Sequence, residues 1–321
     1  MYTDTPNIKE TNSNKSSLYS AEIQISPKKD KEKDSKMVNS FKDTYAEIRI
    51  HLNPRPQNLS LKDFELGKLI GQGFFGQVYL SREIYSNFIV ALKIIDKQKY
   101  YAANKINQLM KEIEIHMELD HFNIIKMYTF FYDSERVYLV LEYAPNGQLF
   151  NKLQNKANKR LKEKKAAQYI FQVLKALQYL HNKGILHRDI KQENLLLSNG
   201  KIKLSDFGWS TKISLNELRK TFCGTMEYLA PEIIKSEEYD FSVDIWSIGI
   251  LCYELCCGIS PFSGKTYTEI MNNISSIKIS FPSYFSNDLK NLIEQILVCE
   301  INKRIKIEEI LEHKWIKMNN P

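Results

Sequence analysis

The stretch "IGQGFFGQV" sets Gly71, Gly73 and Gly76 in one short loop between two apolar runs. Glycines at this spacing let backbone N–H groups approach a phosphate, but the same pattern also marks dinucleotide folds and plain tight turns. The following residues separate these readings. A dinucleotide loop opens a helix, whereas "QVYL" reads as a strand, which favours a hairpin flap over nucleotide phosphates. Lys93 in "VALK" stands among Ala91, Leu92 and Ile94, where an ammonium needs a partner, and the next helical segment supplies Glu112. Such a pair would hold the ammonium against the α- and β-phosphates of a nucleotide. Further on, Asp189, Lys191, Asn194 and Asp206 crowd acids, a base and an amide into two neighbouring stretches, "HRDIKQEN" and "LSDFGWS".

These groups need elements to position them. "FELGKLIG", "QVYLSRE" and "FIVALKIID" are β-branched and aromatic runs broken by glycines and polar turns, which predicts a meandering antiparallel sheet. "NKINQLMKEIEIHMEL" has helical spacing, with Ile106, Leu109, Ile113 and Met117 on one side, and a hairpin turning at Asp133 and Ser134 follows. Beyond "PNGQLF" the chain turns mainly helical. "EKKAAQYIFQVLKALQYLHNKG" repeats apolar residues at helical spacing and stops at Gly184. Residues 1–60, rich in Ser, Asn, Lys, Asp and Glu, read as a disordered extension in which "FKDTYAEIRIHL" is the most apolar stretch. The domain is expected over 61–321, with a β-rich part at about 61–142, a connection at 142–147 and a helical part at 148–317.

Bulk properties exclude several classes. The net charge of +7 over 321 residues is spread along the chain, as on a solvated lysine-rich surface, so no direct nucleic-acid binding is expected. Five cysteines make no paired framework and no zinc-like spacing; Cys252, Cys256 and Cys257, in a strongly apolar helical stretch, read as small buried hydrophobes in a reducing compartment. The N-terminus lacks the apolar run of a signal peptide, and "IWSIGILCYELCCGI" is too short to span a membrane and carries Glu254. It reads as the buried centre of a large helical unit.

"ILHRDIKQENLLL" matches H-R-D-x-x-x-x-N at His187, Arg188, Asp189 and Asn194, and Asp206, Phe207 and Gly208 follow in order. The order continues through "GTMEYLAPE" (Ala230, Pro231, Glu232), "VDIWSIGI" (Asp244) and Arg304 in "NKRIKIEEILEHKW". From roughly 64 to 316 the chain resembles the eukaryotic protein kinases. The resemblance implies an α+β fold of two lobes, a small β-rich N-lobe with one key helix and a larger, mainly helical C-lobe, using ATP and Mg2+. It implies that Asp189 orients the substrate hydroxyl and Lys191 steadies the moving phosphoryl group, beside the Lys93–Glu112 pair. Asn194 and Asp206 become the magnesium ligands. Ile70, Gly71, Gly73, Gly76, Val78, Ala91 and Leu141 become the ATP pocket, with Glu142 and Ala144 offering hinge backbone to adenine. His187 and Phe207 are assigned to packing, and Glu232 to a pair with Arg304.

Trp209, directly after Asp-Phe-Gly, together with "FELGKLIGQGFFGQVYLSRE", "RVYLVLEYAPNG" and "TFCGTMEYLAPE", resembles the Aurora kinases more than the polo-like or cyclic-AMP-dependent ones. The likeness implies a mitotic Ser/Thr kinase of cytoplasm and nucleus, at spindle, centrosome or chromosomes, with an activator segment on the N-lobe and no membrane partner. It places Thr221 at the activation phosphosite, with Lys111, Arg188 and Arg219 to receive the phosphate; lysine at 111 lacks the bidentate fork of the family's arginine. Arg219, two residues before Thr221, leads to an expectation of autophosphorylation. Glu193 and Glu254 match positions that bind an arginine ahead of the acceptor Ser or Thr. Thr225 matches a residue that bonds the catalytic loop, and Cys223 reads either as an oxidation-sensitive brake or as an inert thiol.

Several residues depart from the family pattern. Gln192 replaces a proline and is expected to loosen the catalytic loop, His116 replaces a glutamine one turn after Glu112, and Phe122 replaces a proline. The rivals are another basophilic Ser/Thr kinase, polo-like or calcium/calmodulin-dependent in type, and a pseudokinase scaffold. The scaffold reading would call for loss of Lys93, Asp189 or Asp206, and all three are present.

Overall fold

The computed structural model describes residues 59–73, 76–213 and 225–320. The expected extension up to residue 58, together with Arg219, Thr221 and Cys223, lies outside the described residues. Strands β1 (Phe64–Gln72), β2 (Gly76–Glu83) and β3 (Ile89–Asp96) lead into helices α1 (Lys97–Ala102) and α2 (Ile106–Met117). Strands β4 (Met127–Tyr132) and β5 (Arg136–Glu142) complete one sheet in the order β1-β2-β3-β5-β4, antiparallel throughout.

β1, β2 and β3 form the expected meander and β4–β5 the expected hairpin; what sequence left open is how the hairpin docks. β5 pairs with β3, and β4 lies at the edge. The physical reason is burial: "VYLV" of β5 is buried at four successive positions, which suits an interior strand, while Tyr128 of β4 is exposed. Helix α1 was not anticipated. Six residues are too few to show a period, and its start depends on Asp96 accepting the Gln98 N–H at 2.8 Å.

Alternation along β3 divides the sheet. Val90 and Leu92 join Phe64, Phe131, Tyr138 and Val140 in one cluster, with Phe131 stacked on Phe64 and on Tyr138 at 5.5 and 4.6 Å between ring centres. Ala91 and Lys93 therefore point to the other face, the one that turns Lys93 toward α2.

The second lobe runs through α3 (Leu149–Gln154), α4 (Glu163–Asn182), β6 (Ile185–Leu186), β7 (Leu195–Ser198), β8 (Lys201–Leu204) and β9 (Thr211–Lys212). It continues with α5 (Pro231–Ile234), α6 (Ser242–Cys257), α7 (Tyr267–Ser275), α8 (Asn287–Ile296), α9 (Ile307–Glu312) and α10 (Lys314–Lys317). Short antiparallel pairs β6–β9 and β7–β8 present the loops between them. Helix α4 ends where Gly184 turns left-handed (φ 72°), and a Cβ there would stand 2.7 Å from the Ile213 carbonyl.

Helix α6, apolar on all sides, is the buried centre, as its composition predicted. A Cβ on Gly249 would lie 2.6 Å from Ile296, so this glycine sets how closely α8 approaches. Cys252 and Cys256 are buried as expected; Cys257 and Cys299 are not fully so, and the Tyr284 hydroxyl donates to Cys257 Sγ at 3.9 Å. Cys257 is the last residue of α6, and Cys299 lies in the connection after α8. Among the described residues no helix is long and apolar enough to cross a membrane.

Candidate active site

Asp244, in the first turn of α6, is fully buried and accepts three hydrogen bonds: from the N–H of His187 (3.0 Å), the N–H of Arg188 (2.8 Å) and His181 Nε2 (2.9 Å). Burial opposes its ionisation, and the bond and charge of His181 outweigh it, holding the carboxyl below its usual range. This clamp fixes the loop after β6 and holds Arg188 in the left-handed region at φ 66°. Sequence reasoning recorded Asp244 only as part of a motif. Its bonds reach 56 and 57 residues back along the chain, which no local pattern shows.

Just beyond, Asp189 is 5% exposed. Its Oδ1 accepts from the Thr225 hydroxyl at 2.9 Å, and its Oδ2 accepts from Asn194 Nδ2 at 2.9 Å. Lys191 Nζ lies 2.9 Å from Asp189 Oδ2 and donates to Thr225 Oγ1 at 2.6 Å. Acid, ammonium and hydroxyl thus form a closed triangle that orients the carboxylate. Gln192, expected to loosen this loop, is buried as the first residue of the 3-10 turn Gln192–Asn194.

Across from it, Lys93 Nζ meets Glu112 Oε1 at 2.9 Å, with the glutamate 3% exposed. Burial works against the Lys93 ammonium, but Glu112 and then Asp206 carry its pKa above the ordinary lysine value. Burial likewise opposes ionisation of Asp206, and Lys93 with the Gly208 N–H reverses the balance, holding that carboxyl below the usual range. Asp206 is held in the left-handed region at φ 65°, where a non-glycine residue is strained.

Phe207 is fully buried between two imidazoles, 4.5 Å from the ring centre of His116 and 5.1 Å from that of His187. The packing role predicted for His187 and Phe207 therefore has a geometric form. His116 Nε2 lies 2.7 Å from the Ile125 carbonyl, and burial drives its pKa down to about 4, so the ring is neutral near pH 7. His187 Nε2 has no hydrogen-bond partner among the described residues.

Around the nucleotide pocket, pairing places Val78 opposite Lys93 and Leu141 opposite Ala91, with Gly71 opposite Val78. Gly73 N–H donates to the Gly76 carbonyl at 2.9 Å, and a Cβ on Gly76 would collide with the Ile94 carbonyl at 2.3 Å. The third glycine is thus required by the close approach of β2 to β3. Ile70 is 40% exposed on the flap, while Ala144 is buried. The Glu142 side chain is spoken for by Lys203, 2.7 Å away.

Of the expected phosphate clamp, Arg188 donates from Nε to the Trp209 carbonyl (2.7 Å) and from Nη1 to the Tyr239 hydroxyl (3.0 Å), and Lys111 is exposed on α2. Thr221 and Arg219 fall outside the described residues. Glu193 is half-buried, and Glu254 accepts a hydrogen bond from the Tyr228 hydroxyl. Burial, together with repulsion from Glu193, raises the Glu254 carboxyl to about 7. Glu232 and Arg304, each 1% exposed, form a two-point pair at 2.7 and 3.0 Å. Phe122 is 65% exposed and carries Lys203 Nζ 5.2 Å from its ring centre.

The donor set suits a magnesium ion. Backbone bonds from Ser205 to the Asn194 carbonyl at 2.9 Å run the two loops side by side, bringing Asn194 close to an ionised Asp206. Among the described residues no three His, Cys, Asp or Glu side chains converge, so a bound ion would draw its remaining ligands from phosphate and water, as magnesium does.

The chain matches the protein kinase domain over residues 64–316. It is 44% identical over 263 residues to the Arabidopsis thaliana serine/threonine-protein kinase Aurora-1, covering 81% of this chain and 88% of that relative. The chain belongs to the Aurora family of protein kinases. It is also 44% identical over 261 residues to Aurora kinase A-A of Xenopus laevis and 43% identical over 264 residues to the Aurora kinase of Candida glabrata. These matches cover 81% and 82% of this chain; the first spans 63% of the Xenopus relative and the second 73% of the Candida one. Membership accounts for the two-lobed fold, and a protein kinase domain implies the use of ATP.

Proposed function

We propose that the protein transfers the γ-phosphoryl group of ATP to Ser or Thr hydroxyls of protein substrates that carry an arginine ahead of the acceptor. The observation that carries the reading is the closed Lys93–Glu112 pair beside an ionised Asp206, facing the Asp189–Lys191–Thr225 triangle. Lys93 would hold the α- and β-phosphates, with Glu112 keeping its ammonium aimed. Asp189 would accept a hydrogen bond from the substrate hydroxyl and take its proton, while Lys191 balances charge on the group in transit. Asn194 and Asp206 would hold magnesium, which when bound would neutralise charge on the triphosphate. The chemistry is positioning and electrostatics, which explains why so many of these side chains hold each other before any substrate arrives.

Phosphorylation at Thr221, received by Arg188 and Arg219 with Lys111 as a weaker third point, would switch the enzyme on. An arginine of the substrate would sit against Glu193 and Glu254. Family membership supports mitotic work at spindle, centrosome or chromosomes and an activator segment on the N-lobe. The test is radiolabelled phosphate transfer from Mg-ATP to an arrayed peptide set, beside a Lys93→Met control. Label on Ser and Thr peptides with upstream arginine, and a phosphate on Thr221 by mass spectrometry, is the expected outcome. Tyrosine acceptors, or equal labelling by the control, would refute it.

A further inference from the structure

Helix α2 contributes more to the site than Glu112. Gln108, Glu112 and His116 recur every four residues and so share one face of the helix. That face meets three successive features of the opposite segment. His116 lies against the Phe207 ring at 4.5 Å, Glu112 Oε2 stands 3.4 Å from where a Cβ on Gly208 would be, and Gln108 Nε2 donates to the Gly208 carbonyl. One residue along, Lys105, which directly precedes α2, places its Nζ 5.0 Å from the ring centre of Trp209. The Trp209 carbonyl is held from the other lobe by Arg188 Nε at 2.7 Å. Gly208 is thus held from α2, and Trp209 from both sides.

We propose that Gln108 is a positioning residue for the transfer reaction: by holding the Gly208 carbonyl, with Lys105 over the Trp209 indole, it ties the first turn of α2 to the segment that carries Asp206. The Lys93–Glu112 pair and the Asp206 carboxylate are then set by one clamp, and neither can move without the other. The absence of a side chain at Gly208 permits the approach, since a Cβ would come within 3.2 Å of Asp206 Oδ1 and 3.4 Å of Glu112 Oε2. Trp209 gains a role beyond filling space, because its indole face gives a cation from the helix a place to rest.

The inference rests on the kinase reading, and two measurements separate them. Gln108→Met keeps length and loses the donor. Losing one such bond weakens the coupling about fivefold, so the magnesium concentration giving half-maximal rate should rise by about that factor, with kcat falling and the peptide KM nearly constant. Lys105→Met should shift the same midpoint about twofold, and Lys105→Arg, which retains a cation over the indole, should restore it.

Hydrogen exchange of the protein without nucleotide is the second readout. In Gln108→Met the amides of residues 106–112 and 208–211 should exchange faster together. An unmoved magnesium midpoint, or faster exchange in only one of the two segments, overturns the clamp. If the unaltered protein transfers no phosphate at all, the kinase reading fails, and the paired exchange result still decides the clamp by itself.

Discussion

Replacing His116 with glutamine should make the protein less sensitive to acid. The imidazole is 3% exposed, and burial lowers its pKa to about 4, whereas in an unfolded chain it titrates at the ordinary histidine value of 6.5. Between these values the unfolded chain binds more protons than the folded one, so stability falls as pH drops. The penalty is absent above about pH 6.5 and complete below about pH 4. Taking about 1.4 kcal/mol per pH unit, moving from about pH 7.5 to about pH 5 costs the folded protein about 2 kcal/mol through this one residue.

Glutamine carries no titrating proton and can still donate to the Ile125 carbonyl that His116 Nε2 faces. Urea unfolding of both proteins at the two pH values supplies the comparison. His187, also buried and depressed, is present in both and cancels. The expected result is a pH-dependent loss of stability smaller in His116→Gln by about 2 kcal/mol. Parallel pH curves for the two proteins would refute the argument, because they would mean that His116 is not held neutral by burial. Loss of the ring contact with Phe207 lowers the variant equally at both pH values and does not disturb the test.

Two further outcomes follow from buried charge. Arg304→Met strands the Glu232 carboxylate, 1% exposed, without its two-point partner, and should cost about 3–5 kcal/mol by thermal or chemical unfolding; adding Glu232→Gln should recover part of the loss. Because the Glu254 carboxyl sits at about 7, the preference for an arginine-bearing peptide over its alanine counterpart, as a ratio of kcat/KM, should climb as pH rises through that value. It should stay flat with pH in Glu254→Gln.

Much of the site was legible before any coordinates. Lys93 among apolar neighbours demanded an anion, and α2 supplies it at 2.9 Å. The strand after the glycines excluded a dinucleotide loop, and the structure adds that Gly76 must be glycine because the Ile94 carbonyl occupies the space of a side chain. β-branched and aromatic runs gave the strands of the sheet, helical spacing gave α2 and α4, and an all-apolar run gave α6, since burial on one face or on all faces leaves a local signature.

Composition, periodicity and ordered motifs thus determined the two lobes, the acid and base inventory and the family, because each is written in residues near one another or in a fixed order along the chain. Only the tertiary structure decided that β5 lies inside β4, that Asp244 reaches back to clamp the loop at His187, and that Gln108, Lys105 and His116 grip the segment around Phe207. Those contacts join residues many positions apart, through carbonyls and ring faces that every sequence possesses. Their partners are chosen by packing geometry, which no local pattern encodes.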